Sequence, residues 1–295
     1  IIMTNNAEII GAHFESDKFL ISISQNLIQL FRLQPMQSIF SISGGPYVHA
    51  SYSGQYLFAV SNTRIPPFMS NFVLTYSISS GSFERSIEFG SPILSLHSTK
   101  SYLFVSLQSN IQVVDIQSFQ IISSIERRNE LGILAVSEKY IIYTNDEVPG
   151  TAIIAAIPGF SVVAQVQCHK DPINFISISE DGNSFITASS VGTLVRQFHI
   201  HDGKKLDEFR RGYTQSTILS AFLNDLMLVC ISTSTLHIFL KDKTHIIVHL
   251  PCHAICCRGL GSHVAVVGVD AILSMYKVDG IGGSAKVLTQ HRLLS

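Results

Sequence analysis

Tryptophan is absent from the 295 residues, charged side chains make up only 14%, and cysteine occurs five times. Each shortage excludes something. An odd cysteine count, with Cys252, Cys256 and Cys257 crowded into one stretch, does not form a disulfide framework and suits reduced thiols. The 20 Lys and Arg against 21 Asp and Glu give a net charge of −1 with 12 histidines left uncharged. There is thus no broad basic surface for nucleic acid or anionic lipid, and any anion recognition must be local. Apolar segments all stop short of the roughly 18 residues that a membrane helix needs. The opening Ile1-Ile2-Met3-Thr4-Asn5-Asn6 has no basic region and no long apolar stretch before a small-residue cleavage site. It does not read as a secretory signal, and a cytosolic setting is expected. No Gly-rich phosphate loop, Gly-x-Ser-x-Gly elbow or zinc-protease signature is visible, so no enzymatic activity and no cofactor are expected.

What the sequence does have is short apolar strands. Hydrophobic residues reach 46%, which excludes disorder. Between residues 8 and 293 they fall in bursts of four to eight, rich in Ile, Val, Leu, Phe and Tyr, and not at helical spacing. The bursts come in groups of four that recur about every 40 residues, the period of a four-stranded propeller blade. One group is Ile173 to Ser179, Ser184 to Ser189, Thr193 to Ile200 and Lys205 to Arg210, turned at Asp181-Gly182, Val191-Gly192 and Asp202-Gly203. The next is Thr217 to Leu223, Leu226 to Ser232, Thr235 to Lys241 and His245 to Leu250. The same rhythm stands upstream at Tyr102 to Gln108 with Asn110 to Gln117, and at Tyr140 to Asn145 with Thr151 to Ile157. The expected fold is all-β, a seven-bladed β-propeller of four-stranded antiparallel blades, with residues 1–295 as a single domain. The irregular stretch from Asn62 to Ser70 reads as an insertion between two strands of the second blade.

The residues Phe209-Arg210-Arg211-Gly212 end a strand and open a turn. Adjacent residues of a strand point to opposite sides, so Arg210 and Arg211 can serve two different grooves between blades. A guanidinium fork fits phosphate oxygens, and Ser, Thr and His complete such a shell. Gly212 is read as letting the backbone turn away sharply. Taken alone, the pair could also be a solvated strand end or a pair of surface ion pairs with Asp207 and Glu208.

The motif resembles the Phe-Arg-Arg-Gly motif of the PROPPIN family, WIPI-like, WD40-like propellers that bind phosphoinositides. The preceding blade resembles the family too, in Cys168-His169-Lys170-Asp171-Pro172, Thr187-Ala188-Ser189 and Gly192-Thr193-Leu194-Val195-Arg196-Gln197-Phe198. Asn129-Glu130-Leu131-Gly132 is similar to a further family pattern. The resemblance implies two lipid sites: His169, Ser189, Thr193, Arg196 and Arg210 for the first, and Arg211, Ser232, Thr235 and His237 for the second. It implies binding of phosphatidylinositol 3-phosphate or the 3,5-bisphosphate, and peripheral attachment to autophagic, endosomal or vacuolar/lysosomal membranes. It also implies recruitment of autophagy proteins such as a lipid-transfer partner. A monomer is expected, with no nucleic acid and no metal.

Two departures from the family stand out. Ser234 occupies the place of the glycine usual before the threonine of the sixth blade, and is expected to shift that turn. The long, apolar-tipped membrane loop of the same blade is replaced by Lys241-Asp242-Lys243-Thr244, so anchoring should rest on headgroup contacts and be salt-sensitive. His169 and His237 are expected to gain charge near pH 6 and to tighten phosphate binding. Cys252-His253 with Cys256 and Cys257 fits a strand with buried thiols better than a zinc pattern. A propeller scaffold without lipid sites is the rival reading, and Ile65-Pro66-Pro67-Phe68-Met69 is either a partner contact or a packed loop tip.

Overall fold

A computed structural model describes residues 8–280 and 283–294; the N-terminal hexapeptide weighed as a leader lies outside them. Twenty-eight strands form seven four-stranded antiparallel sheets, the propeller expected from the strand rhythm. Every sheet is built from four consecutive strands. In blade 1 these are Ile9–Phe14, Phe19–Ser24, Leu27–Leu33 and Met36–Ser43; in blade 7, Ala254–Leu260, His263–Gly268, Ile272–Asp279 and Ser284–Arg292. Among the described residues no strand is exchanged between the first and last blades. The ring closes there through side chains, with Ile9, Leu20 and Phe31 packed on Cys256, Val267 and Leu273, and through one backbone bond, Ile9 N to Val269 O at 3.2 Å.

The core is divided among the gaps between blades. Seven apolar clusters each join two neighbouring blades: Phe185 and Phe198 of blade 5 pack on Ile142 and Ile154 of blade 4, and Phe209 of blade 5 meets Phe239 of blade 6. Second strands such as Phe185 to Ala188 and Met227–Ile231 are buried on both faces, which explains why they read as unbroken apolar runs. Cys256 and Cys257 turn to opposite gaps, toward blade 1 and blade 6, so the cysteine-rich stretch is core-facing strand. Outermost strands such as Lys205–Arg210 are exposed.

Blades 5 and 6 hold the candidate site. Blade 5 comprises Ile173–Ile178, Ser184–Ser189, Leu194–His199 and Lys205–Arg210, within a residue of expectation. Blade 6 comprises Ser220–Leu223, Met227–Ile231, Thr235–Leu240 and His245–His249. Its first strand starts three residues later than expected, because Ser216 is bonded over the Val191-Gly192 turn (Ser216 N to Val191 O, 3.1 Å). The other six blades carry a bulge between their third and fourth strands, at Gln197/Phe198 in blade 5, whereas blade 6 pairs regularly. The link at Asn62 does lie between Tyr56–Ser61 and Phe72–Ser77 of blade 2, with Ile65 71% exposed at its tip.

Candidate phosphate-binding site

Strand alternation puts Arg196, Glu208 and Arg210 on the face of blade 5 that looks toward blade 4, since Arg196 pairs with Glu208 and Leu194 with Arg210 in register. Thr187, opposite Arg196, and Ser189 share that face. His169, on the link from blade 4, lies with its Nε2 2.9 Å from Thr187 Oγ1. Arg196 donates from Nη1 to the Cys168 carbonyl (2.8 Å) and from Nε to Glu208 (2.8 Å). Thr193 sits on the adjoining turn, where its carbonyl accepts from Arg211 N at 2.9 Å. The five residues of the first expected site therefore gather at one corner of the gap between blades 4 and 5. Arg210 is exposed, and its guanidinium lies 5.1 Å from the centre of the Tyr213 ring.

Arg211 behaves differently from its neighbour. It is only 8% exposed, and its Nε donates to Gly192 O at 2.7 Å while an Nη donates to Thr214 O. These bonds pull the loop after the strand back over the blade 5 turn. Gly192 itself has φ +65°, and a side chain there would collide with the Ser216 carbonyl. Gly212 needs no such freedom: its φ is not in the left-handed region and a Cβ there would meet nothing. The turn expected of Gly212 is thus enforced by Arg211 and Gly192.

On the face of blade 6 turned toward blade 5, Ser232 Oγ lies 2.7 Å from Thr235 Oγ1. His237 Nε2 lies 3.1 Å from the same Thr235 oxygen, and its Nδ1 is 3.0 Å from His245 Nε2. This chain of polar groups is largely saturated internally. Ser234 stays out of the left-handed region that Gly192 adopts, yet the turn closes with Ser232 N on Thr235 O at 3.0 Å. The sixth-blade connection is the tight turn the sequence implied, with Lys243 N on Leu240 O at 2.9 Å and Lys241 and Lys243 exposed.

Electrostatics corrects two expectations. His169 and His237 are both pushed down to about 4, first by burial, then by the Arg196 cation for His169, and by repulsion from a second ring, His245, and the Arg211 cation for His237. Both rings are neutral at pH 6, so the gain of charge expected there does not occur. Nor does Glu208 pair with the arginine motif: it bonds Arg196 and Lys205, and the Arg196 hydrogen bond holds its carboxyl below the usual range. Register decides this, because Glu208 stands directly opposite Arg196.

Sequence reasoning gave Thr187 and Glu208 no place in the site, and it missed Tyr213 and His245. The first two could have been found by pairing Ala188 with Val195 and Val195 with Phe209 across the hairpins. Asn129, part of a further family pattern, is fully buried and holds Ile133 N (2.9 Å) and Thr144 Oγ1 (3.1 Å), a structural staple between blades 3 and 4. Among the described residues, no group of three His, Cys, Asp or Glu could hold a metal ion.

A family model described as PROPPIN matches residues 15–251. Autophagy-related protein 21 of Schizosaccharomyces pombe is 26% identical over 80% of this chain and 71% of its own length. The human WD repeat domain phosphoinositide-interacting protein 1 is also 26% identical, over 73% of this chain and 51% of its own length, so the chain spans about half of that relative. Among solved structures, Kluyveromyces lactis Hsv2 superposes with a TM-score of 0.82 at 16% identity, over 97% of this chain and 99% of that one. A complex of KlAtg21 with the coiled coil of AgAtg16 gives 0.83 at 18%, with the same coverage. With its family model spanning blades 2 to 6 and three strands of blade 1, and its propeller carrying the arginine pair at the end of blade 5, the chain belongs to the PROPPIN family.

Proposed function

We propose that the chain is a phosphoinositide-binding effector, acting as one propeller unit that docks edge-on against a membrane and brings autophagy proteins with it. The observation that carries this reading is Arg210. It is an exposed guanidinium on the same face as Arg196 and Ser189, at a groove wall that His169, bonded to Thr187, lines with an imidazole ring. Membership of a family that includes a phosphoinositide-interacting relative supports the ligand class. Similarity to KlAtg21, whose structure is a complex with a coiled coil, supports the recruiting role. Phosphatidylinositol 3-phosphate and the 3,5-bisphosphate are the proposed ligands, and binding without catalysis is the proposed activity.

The gap between blades 4 and 5 is the primary site in this proposal, and Arg211 with Ser232, Thr235 and His237 forms a secondary one. Arg211 must give up part of its backbone bonding to reach a phosphate, so the second site is the weaker of the two. Engagement of both on one bilayer would raise apparent affinity by roughly 10²-fold or more. Lys241 and Lys243 add a salt-sensitive attraction of about 1 kcal/mol each near an anionic surface.

The test is co-sedimentation with phosphatidylcholine vesicles carrying either phosphoinositide, comparing the natural protein with Arg210→Thr. Binding by the natural protein that the variant loses supports the reading. Equal binding by both, or binding of plain phosphatidylcholine to the same extent, overturns it.

A further inference from the structure

Tyr213 is 88% exposed, the highest value of any large apolar side chain among the described residues. It follows the Phe209-Arg210-Arg211-Gly212 motif directly, and the structure shows why it is nonetheless held in place. Arg211 reaches past it to the Thr214 carbonyl, fixing the loop from behind. Ser216 N bonds Val191 O and ties the loop's far end to the blade 5 turn. In front, the Arg210 guanidinium rests 5.1 Å from the ring centre, a cation–π contact. An aromatic ring in water, braced on both sides and touching the best-placed cation of the candidate site, has no role in the packing of the propeller. Ile65 and Leu131, the next most exposed at 71% and 68%, have no such cation over them.

We propose that Tyr213 is an interfacial membrane anchor, inserting its ring among lipid headgroups while Arg210 holds a phosphate beside it. This rests on the phosphoinositide reading above and deepens it by naming the apolar contact that the four-residue turn at Lys241 cannot supply. The chemistry suits a lipid surface. A tyrosine is apolar along its ring and polar at its tip, the combination that favours the headgroup region. The outer edges of blades 5 and 6 carry exposed apolar and basic side chains, Leu206 at 50% and Ile247 at 51%, with Lys204, Lys205, Lys241 and Lys243. Of the acids there, Glu208 is paired with Arg196 and Lys205, while Asp202, Asp207 and Asp242 remain exposed.

Because the chain has no tryptophan, Tyr213→Trp installs a single fluorophore at the proposed contact. Its emission is expected to shift to the blue when phosphatidylcholine vesicles containing phosphatidylinositol 3-phosphate are added, and to be quenched by lipids brominated near the headgroup. Unshifted emission from protein that has sedimented with those vesicles would overturn the proposal. Tyr213→Ala is expected to weaken vesicle binding about tenfold, the factor for burying roughly half of such a ring, and to leave binding of soluble inositol 1,3-bisphosphate unchanged. An equal loss for both ligands would make Tyr213 a support for Arg210 and not an anchor. Failure of the natural protein to bind either ligand removes the phosphoinositide reading itself, and the anchor with it.

Discussion

The gap between blades 4 and 5 and the gap between blades 5 and 6 receive consecutive arginines from one strand, yet they use them in opposite ways. Arg210 is exposed with its guanidinium against the Tyr213 ring, whereas Arg211 is buried and spends its donors on the carbonyls of Gly192 and Thr214. Two identical residues in a motif thus divide the work: one remains free to meet an anion, and the other builds the loop that presents it. The pattern of a motif says which positions matter without saying whether they bind or brace.

What the gaps share gives the largest effect. Each contains a buried histidine depressed to about 4. Between that value and the free imidazole value, the unfolded chain binds more protons than the folded one, so stability is full above about pH 7 and falls as pH drops. Going from pH 7 to pH 5 should cost about 2 kcal/mol for each ring, about 4 together. Urea midpoints at the two pH values would show it, and His169→Gln with His237→Gln should shrink the difference, leaving the part due to His97, which burial also pushes down to about 4.

Removing the bracing arginine comes next. Arg211→Ala leaves two carbonyls without their charged donor and should destabilise by about 3 kcal/mol; Arg210→Thr should leave the unfolding midpoint unmoved. In binding the order reverses. Arg210→Thr is expected to lose about 2 kcal/mol, roughly thirtyfold, in affinity for phosphatidylinositol 3-phosphate vesicles. If both variants lost stability alike, the division of labour between the two gaps would be wrong. The smallest effect is expected from Ser234→Gly. The turn already closes without a left-handed residue, so restoring the family's glycine should cost about 0.5 kcal/mol of stability and add no lipid affinity.

The fold was legible because strand pairing leaves a period-two signature and turn residues mark its breaks; blades 5 and 6 could be traced almost residue by residue. Their two-sided burial was legible too, as unbroken apolar runs. The opposite aim of Arg210 and Arg211 followed from alternation alone. What did not follow was the burial of Arg211, because its partners are main-chain carbonyls of a loop, and carbonyls are the same at every residue. The partner of Glu208 and the neutral histidines were hidden for a related reason. One depends on register between strands, and the other on how closely blades 4, 5 and 6 pack. Gly212 misled, since the glycine that the turn requires is Gly192, twenty positions earlier on the neighbouring hairpin.

That, among the described residues, blades 1 and 7 exchange no strand bears on how the chain acquires its shape. Each sheet draws on one continuous stretch of sequence, so its pairing can be completed as soon as that stretch has left the ribosome. Successive blades then add to a growing arc by contacts between sequence neighbours, which keeps the entropic cost of each step small. Only the last act is remote in sequence: Cys256, Val267 and Leu273 must find Ile9 and Leu20, joining the two ends of the arc. That seam is sealed last, and it is where the ring should open first under force or denaturant.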